Sequence, residues 1–487
     1  LMIKFDNVSF TYAEATHPAL KQLSLEIKQG EVAIFCGKSG SGKSTIAKLI
    51  NGLIPKVQTG DIEGDIYLNQ QSMAELSMYE ISTMVGSVFQ NPKTQFYNVD
   101  TTSELAFNLE NQGVPPATIM QKIEQTMNYF ELTHLLQRNI FELSGGEKQM
   151  IACASVLISK PEIVVLDEPS SNLDMYSIKK LQQMIRYLKQ QGTTVIIIDH
   201  RLDYALDLAD NIYYIDSGQL QQCFTVNDFR ALEQQQYETM GLRYQACPIK
   251  NDMPHNDNQP SIHIKDFSYG YNKWRQTKQL NIADFSIPEH EMIAIIGDNG
   301  SGKSTFARCF CGLAKGFKGS VSWQQCHAKR KQLLKHSYMV FQDVNTQLFT
   351  ESVDQEMKLL NQDIEETHVN AILKHMNLLA KKEAHPRSLS GGEKQRVAIA
   401  TALISNKDFI IFDEPTSGLD LYHMKQVAQN IQTVHAQGKR VFIITHDYAL
   451  ILELCSYVMH FAAGQVIDHY PLDHAGHDKL ASYFQVS

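Results

Sequence analysis

Lys43 closes the run Gly37-Lys38-Ser39-Gly40-Ser41-Gly42-Lys43-Ser44-Thr45, and Lys303 closes Gly297-Asp298-Asn299-Gly300-Ser301-Gly302-Lys303-Ser304-Thr305. Both runs fit G-x-x-x-x-G-K-[ST]. Glycines at these places let backbone N–H groups turn inward and form an anion cradle at a helix N-terminus. Lys43 and Lys303 can then reach the β- and γ-phosphates of a nucleotide such as ATP, and Ser44 and Ser304 can ligate Mg²⁺. Each run follows an apolar strand, residues 32–36 and 292–296, and precedes a helical pattern. That is the context the motif requires.

A second chemistry lies in two pairs of adjacent carboxylates. Asp167-Glu168 and Asp413-Glu414 end strands made of Ile, Val, Leu and Phe, and Pro169 and Pro415 follow them. Neighbouring carboxylates after such a strand are costly unless they sit at its exposed tip beside a cation. Asp167 and Asp413 therefore read as holding Mg²⁺ in its water shell. Glu168 and Glu414, pointing to the other side, read as orienting and deprotonating an attacking water. His200 and His446 lie 33 positions past Asp167 and Asp413, each after a short apolar strand. The expected role is contact with the γ-phosphate and placement of that water.

The elements that must position these groups occur twice. Leu143-Ser144-Gly145-Gly146-Glu147-Lys148-Gln149 recurs as Leu389-Ser390-Gly391-Gly392-Glu393-Lys394-Gln395. Ser144 to Asp167 and Ser390 to Asp413 both span 23 positions. Equal spacings across two strands, a helix and their loops mean a repeated fold. The copies differ between Lys43 and Ser144, 101 positions apart, and between Lys303 and Ser390, 87 apart. The extra residues are expected to be helical and peripheral. The division expected is a first domain over 1–224, a linker over 225–260 that opens with a short helix, and a second domain over 261–487. The linker is polar and carries Pro248, Pro254 and Pro260.

The Leu-Ser-Gly-Gly-Glu-Lys-Gln segments are where the sequence resembles a named family, the ATP-binding cassette (ABC) ATPases, and the resemblance covers nearly the whole chain. Ser144 or Ser390 would cap a helix, while Gly145, Gly146, Gly391 and Gly392 expose N–H groups at its positive end. The resemblance implies an α/β chain with two P-loop NTPase domains of ABC type. Each would combine a RecA-like, mostly parallel sheet with an antiparallel β-subdomain and a helical subdomain. It also implies that the two cassettes pair head to tail within the chain, so that Lys43 shares a site with Ser390 and Lys303 with Ser144. Further positions carry over: Gln90 and Gln342 as Mg²⁺-sensing glutamines, Asp174 and Asp420 as a turn coupling the sites, and Tyr12 and Tyr271 as rings stacked on adenine.

Bulk properties narrow the setting. The chain has 487 residues, 43% hydrophobic and 20% charged, and no apolar run near the roughly 20 residues that cross a bilayer. A net charge of −9 argues against a nucleic-acid partner. The eight cysteines have no metal-type spacing and read as reduced, packed side chains. Membrane partners would then be separate chains.

Gln90-Asn91-Pro92-Lys93-Thr94-Gln95-Phe96 and Gln342-Asp343-Val344-Asn345-Thr346-Gln347-Leu348-Phe349 carry a second glutamine five residues on. This resembles the ATPases of energy-coupling-factor importers. The resemblance implies a shared transmembrane coupling subunit, a small substrate-binding membrane subunit, and a peripheral place on the cytoplasmic face of the membrane. The cargo would be a vitamin, a vitamin precursor or a metal ion. Phe96 and Phe349 are expected on the groove facing that partner. Sugar-importer ATPases of similar length usually have one degraded site, whereas both halves here keep every catalytic residue. Translation-factor cassettes use a basic linker. Here 225–260 holds Arg230, Arg243 and Lys250 against Asp228, Glu233, Glu238, Asp252 and Asp257.

Overall fold

A computed structural model describes residues 1–171, 173–243, 261–270, 280–361 and 363–485. The chain divides into two compact units. One is Leu1–Tyr244 with Gly418–Tyr422, and the other is Gln245–Ser417 with His423–Ser487.

In the first unit the apolar runs become a six-stranded sheet. Its order is Gln219–Phe224, Asn211–Asp216, Val32–Cys36, Thr194–Ile198, Ile163–Asp167, Val85–Val88. All neighbours are parallel except the hairpin at the Gln219–Phe224 edge. Val32–Cys36 and Thr194–Ile198 are buried at every residue, which is why they read as continuous β-branched runs rather than alternating ones. Burial of each such side chain contributes about 1.5–3 kcal/mol. A four-stranded antiparallel sheet, Leu20–Ile27, Ile3–Tyr12, Gly60–Leu68 and Gln71–Ser72, packs its alternating apolar face into the same core as Phe35, Ile46 and Ile196. Helices Thr101–Asn111, Pro116–Tyr129 and Gly145–Ser159 build the other core with Val88, Leu166 and Ile197.

The second unit repeats this plan. Its six-stranded sheet runs Ser337–Val340, Phe409–Asp413, Arg440–Ile444, Ile293–Ile296, Tyr457–Ala462, Gln465–Pro471, with the last pair antiparallel. A five-stranded antiparallel sheet is centred on Ser261–Tyr269.

The length difference between the halves is not confined to peripheral helices. Helices Thr101–Asn111 and Pro116–Tyr129 have 11 and 14 residues, against 6 and 10 in Val353–Lys358 and Glu366–His375. A further part lies in the antiparallel sheet region, where Gly60–Leu68 runs nine residues and Lys318–Trp323 six. The stretch expected to join the halves opens as helices Val226–Arg230 and Gln234–Met240. Phe229, Tyr237, Met240 and Leu242 bury into the core of the first unit. Residues 244–260 lie outside the described residues.

Candidate active site

Backbone geometry forces glycine into the phosphate loops. Gly37 has φ 143°, and a Cβ there would lie 2.0 Å from the Ile215 carbonyl oxygen. Gly297 has φ 138°, with the Phe461 oxygen at 2.2 Å. Gly42 and Gly302, at φ 103° and 107°, open helices Lys43–Ile50 and Lys303–Phe310. Lys43 Nζ donates to the carbonyls of Gly37 (2.8 Å) and Lys38 (2.7 Å) and to Ser41 Oγ (3.3 Å). Lys303 Nζ donates to the carbonyls of Gly297 (2.5 Å) and Asp298 (2.9 Å). Each ammonium is thus held over the loop, and burial lowers the Lys43 pKa.

The sheet register brings the carboxylates to the loops. Asp167 pairs with Ile198, and Asp413 with Ile444, at the ends of adjacent parallel strands. Ser44 Oγ donates to Asp167 Oδ1 at 3.5 Å, and Ser304 Oγ to Asp413 Oδ1 at 3.4 Å. A hydroxyl and a carboxylate oxygen this close are hard oxygen donors of the kind Mg²⁺ takes. The residues present fit that ion, which when bound supplies positive charge against phosphate oxygens.

One residue on, Glu168 and Glu414 take φ values of 47° and 48°, sparsely populated for non-glycine residues. This turns their side chains toward the histidines. Glu168 Oε1 lies 3.7 Å from His200 Nε2, and Glu414 Oε1 lies 3.6 Å from His446 Nε2. Gln90 Nε2 donates to Glu168 Oε2 at 2.8 Å. Burial first, then the charges of Asp199 and Asp167, raise the Glu168 pKa to about 7, against the pull of Gln90 and Lys43. Burial likewise raises Asp167 to about 6 and Glu414 to about 8, and pushes Asp413 upward. A carboxylate with affinity for a proton near neutrality suits acceptance of a proton from water.

Each Leu-Ser-Gly-Gly segment starts a helix through a capping box. Ser144 Oγ accepts from Glu147 N (3.2 Å), and Glu147 Oε2 accepts from Ser144 N (2.7 Å). Ser390 and Glu393 repeat the pair at 3.4 and 2.8 Å. A Cβ at Gly145 or Gly391 would meet nothing within 4 Å among the described residues. Packing therefore gives no reason for glycine there.

Comparison with known proteins decides the family. A family described as ABC transporter matches residues 20–171 and 280–417, more than half of the chain. A putative ABC transporter ATP-binding protein of Treponema denticola is 40% identical over 474 residues, covering 96% of each chain. This chain belongs to the ABC transporter ATP-binding family. A relative with the same description in Methanosarcina mazei is 30% identical and covers 96% of this chain and 94% of its own. Among solved structures, archaeal ribosome recycling factor aABCE1, crystallised with ribosomal stalk protein aP1, aligns with a TM-score of 0.67. The alignment covers 98% of this chain and 92% of that one, at 20% identity, a likeness of fold alone.

The chain is therefore a tandem-cassette ABC ATPase. In the first cassette Tyr12 hydrogen-bonds through its hydroxyl to Thr45 Oγ1 (3.0 Å), and Lys48 Nζ lies 5.7 Å from its ring centroid. The ring thus stands beside the helix that follows the phosphate loop. Its expected counterpart Tyr271 lies outside the described residues. Strand register supports the correspondence: Phe10 pairs with Leu20 as Tyr269 pairs with Leu280. Asp174 caps helix Met175–Gln190. Asp420 falls in the segment belonging to the first unit, where its Oδ2 accepts from Ser39 N at 2.8 Å. Gln342 begins the segment after strand Ser337–Val340, as Gln90 does after Val85–Val88.

The two rings expected on the groove, Phe96 and Phe349, differ in exposure. Phe96 is half-buried where it packs against the first core, and its counterpart Leu348 is 4% exposed. The outward aromatics are Tyr97 and Phe349, 79% and 70% exposed. The repeated second glutamine explains the geometry. Gln95 accepts from Phe89 N (3.1 Å) and donates to Ser87 O (3.0 Å), and Gln347 ties Phe341 N and Met339 O likewise. These glutamines brace the turn.

Sequence reading missed Glu104 and Glu356, which fix the next residues. Glu104 Oε2 accepts from Tyr97 N (3.1 Å) and Asn98 N (2.8 Å), and Glu356 Oε2 from Phe349 N (3.3 Å) and Thr350 N (3.2 Å). A glutamate seven residues past an aromatic, in the first turn of a helix, was the available signal.

Proposed function

We propose that this ATPase is the energy-coupling subunit of an importer whose membrane-spanning parts are other chains, of the energy-coupling-factor type. Among the described residues no helix is long and apolar enough to cross a membrane. The observation that carries the reading is the matched exposure of Tyr97 and Phe349, seven residues past Gln90 and Gln342, in both cassettes. A pair of large rings held outward by buried glutamates suits apolar contact with a transmembrane coupling subunit, which in turn holds a small substrate-binding membrane subunit. The chain would then lie at the cytoplasmic face, and the cargo would be a vitamin, a vitamin precursor or a metal ion.

In this proposal Lys43 and Lys303 bind the β- and γ-phosphates, and Ser44, Asp167, Gln90 and Ser304, Asp413, Gln342 surround Mg²⁺. Glu168 and Glu414 accept the proton of the attacking water, with His200 and His446 beside it. Tyr12 and Tyr271 face adenine. Family resemblance supports Ser390, Gly391 and Gly392 working with Lys43, and Ser144, Gly145 and Gly146 with Lys303. The cassettes proposed are 1–224 and 261–487.

Purification of the tagged chain from detergent-solubilised membranes tests the reading. The expected result is stoichiometric recovery of two integral membrane proteins, one of them small. Recovery of the chain with ribosomal subunits, or alone, would contradict it.

A further inference from the structure

Asp199 immediately precedes His200, where the second cassette has Thr445 before His446. Its carboxylate is 3% exposed and fully engaged. Oδ1 accepts from His200 N (2.7 Å) and Arg201 N (3.0 Å). Oδ2 accepts from Ser170 N (3.2 Å) and from the Tyr204 hydroxyl (2.9 Å). Ser170 lies two residues past Glu168, so one side chain ties the glutamate's turn to the histidine's turn.

The second cassette makes the same tie from the other side of its histidine. Asp447 Oδ2 accepts from Thr416 Oγ1 (2.8 Å), and Oδ1 accepts from Leu450 N (3.3 Å). Thr416 is the counterpart of Ser170, and Arg201 stands where Asp447 would be. Two consequences are visible in the first cassette. Helix Asp203–Leu206 has four residues and no side-chain cap, whereas Asp447 caps the seven residues of Tyr448–Leu454. Ser170 Oγ, the position from which Thr416 donates, is buried without a hydrogen-bond partner among the described residues.

We infer that Asp199 is a positioning residue of the first ATP site, holding the Glu168 and His200 turns at their working separation as Asp447 does in the second. The inference rests on the proposed roles of Glu168 and His200. It explains how the first cassette keeps a Glu–His distance of 3.7 Å, against 3.6 Å in the second, without an aspartate after the histidine. Removing the carboxylate takes the acceptor from three buried donors, Ser170 N, His200 N and the Tyr204 hydroxyl, and from the part-buried Arg201 N, and the turns lose their shared anchor.

The test is steady-state ATP hydrolysis and thermal unfolding of the full chain for His200→Ala, Asp199→Thr and the double variant Asp199→Thr/Arg201→Asp. The double variant transplants the second cassette's order and offers Ser170 Oγ its acceptor. Asp199→Thr should lower kcat by on the order of 10- to 100-fold, the scale of a misplaced reacting group, with KM for ATP little changed. The double variant should recover most of that loss. An Asp199→Thr chain within about twofold of wild type while His200→Ala is disabled would overturn the inference alone. So would a double variant that stays slow or unfolded. An unaffected His200→Ala would overturn the proposed site and this inference with it.

Discussion

Gln90 Nε2 donates to Glu168 Oε2 at 2.8 Å, joining the segment that leads to Tyr97 directly to the carboxylate beside the first phosphate loop. The bond favours the charged carboxylate, while burial opposes it. A displacement of the Gln90 segment, which begins at the end of strand Val85–Val88, would therefore be felt at Glu168. Gln90→Ala should leave ATP binding within a few-fold of wild type and lower kcat by about tenfold or more. Equilibrium nucleotide binding alongside turnover checks this, and a variant weakened in binding alone would disagree.

Tyr97→Ala and Phe349→Ala should leave thermal stability nearly unchanged, because both rings are mostly exposed. Phe96→Ala, by contrast, should destabilise the chain, by less than the roughly 3–5 kcal/mol typical of a fully buried aromatic because the ring is half-buried. With folded fractions matched, the Tyr97→Ala/Phe349→Ala chain should lose the transmembrane partner in affinity purification and still hydrolyse ATP. Wild-type retention of the partner would remove the main support for the coupling surface.

Gly145→Ala places its Cβ in open space at the first position of a helix, at a backbone conformation that alanine adopts freely. The substitution should hold or raise stability, by about 0.4–1 kcal/mol through the unfolded chain. Turnover should nevertheless fall, since the proposed role of this glycine is close approach to a phosphate. Unchanged turnover with raised stability would show that the glycine is dispensable.

What could be read from the sequence was whatever depends on local backbone at a strand end. The loop around Lys43, the carboxylates of Asp167 and Glu168, and the position of His200 all sit at or just past the end of a buried strand. That the two halves share one plan follows from the repeat. What escaped was set by contacts between distant segments. The direction of Tyr97 rather than Phe96 is decided by Gln95 bracing the turn and by Glu104 capping the residues beyond it. The engagement of Asp199 depends on Ser170, 29 positions away. The extra residues of the first half were expected in peripheral helices, yet part of them lengthens the strand Gly60–Leu68, which pairs with Ile3–Tyr12 from end to end.

The most direct measurement of the central claim, two working ATP sites in one chain, is hydrolysis by the full-length Glu168→Gln and Glu414→Gln variants. Each carboxylate lies beside its histidine at nearly the same distance, 3.7 and 3.6 Å. Loss of a general base typically costs about 10²-fold or more. Each single variant should therefore slow turnover strongly while still binding ATP, and the double variant should be inactive. If one of the two substitutions left turnover at the wild-type rate while the other abolished it, the chain would have one working site and the account would be wrong.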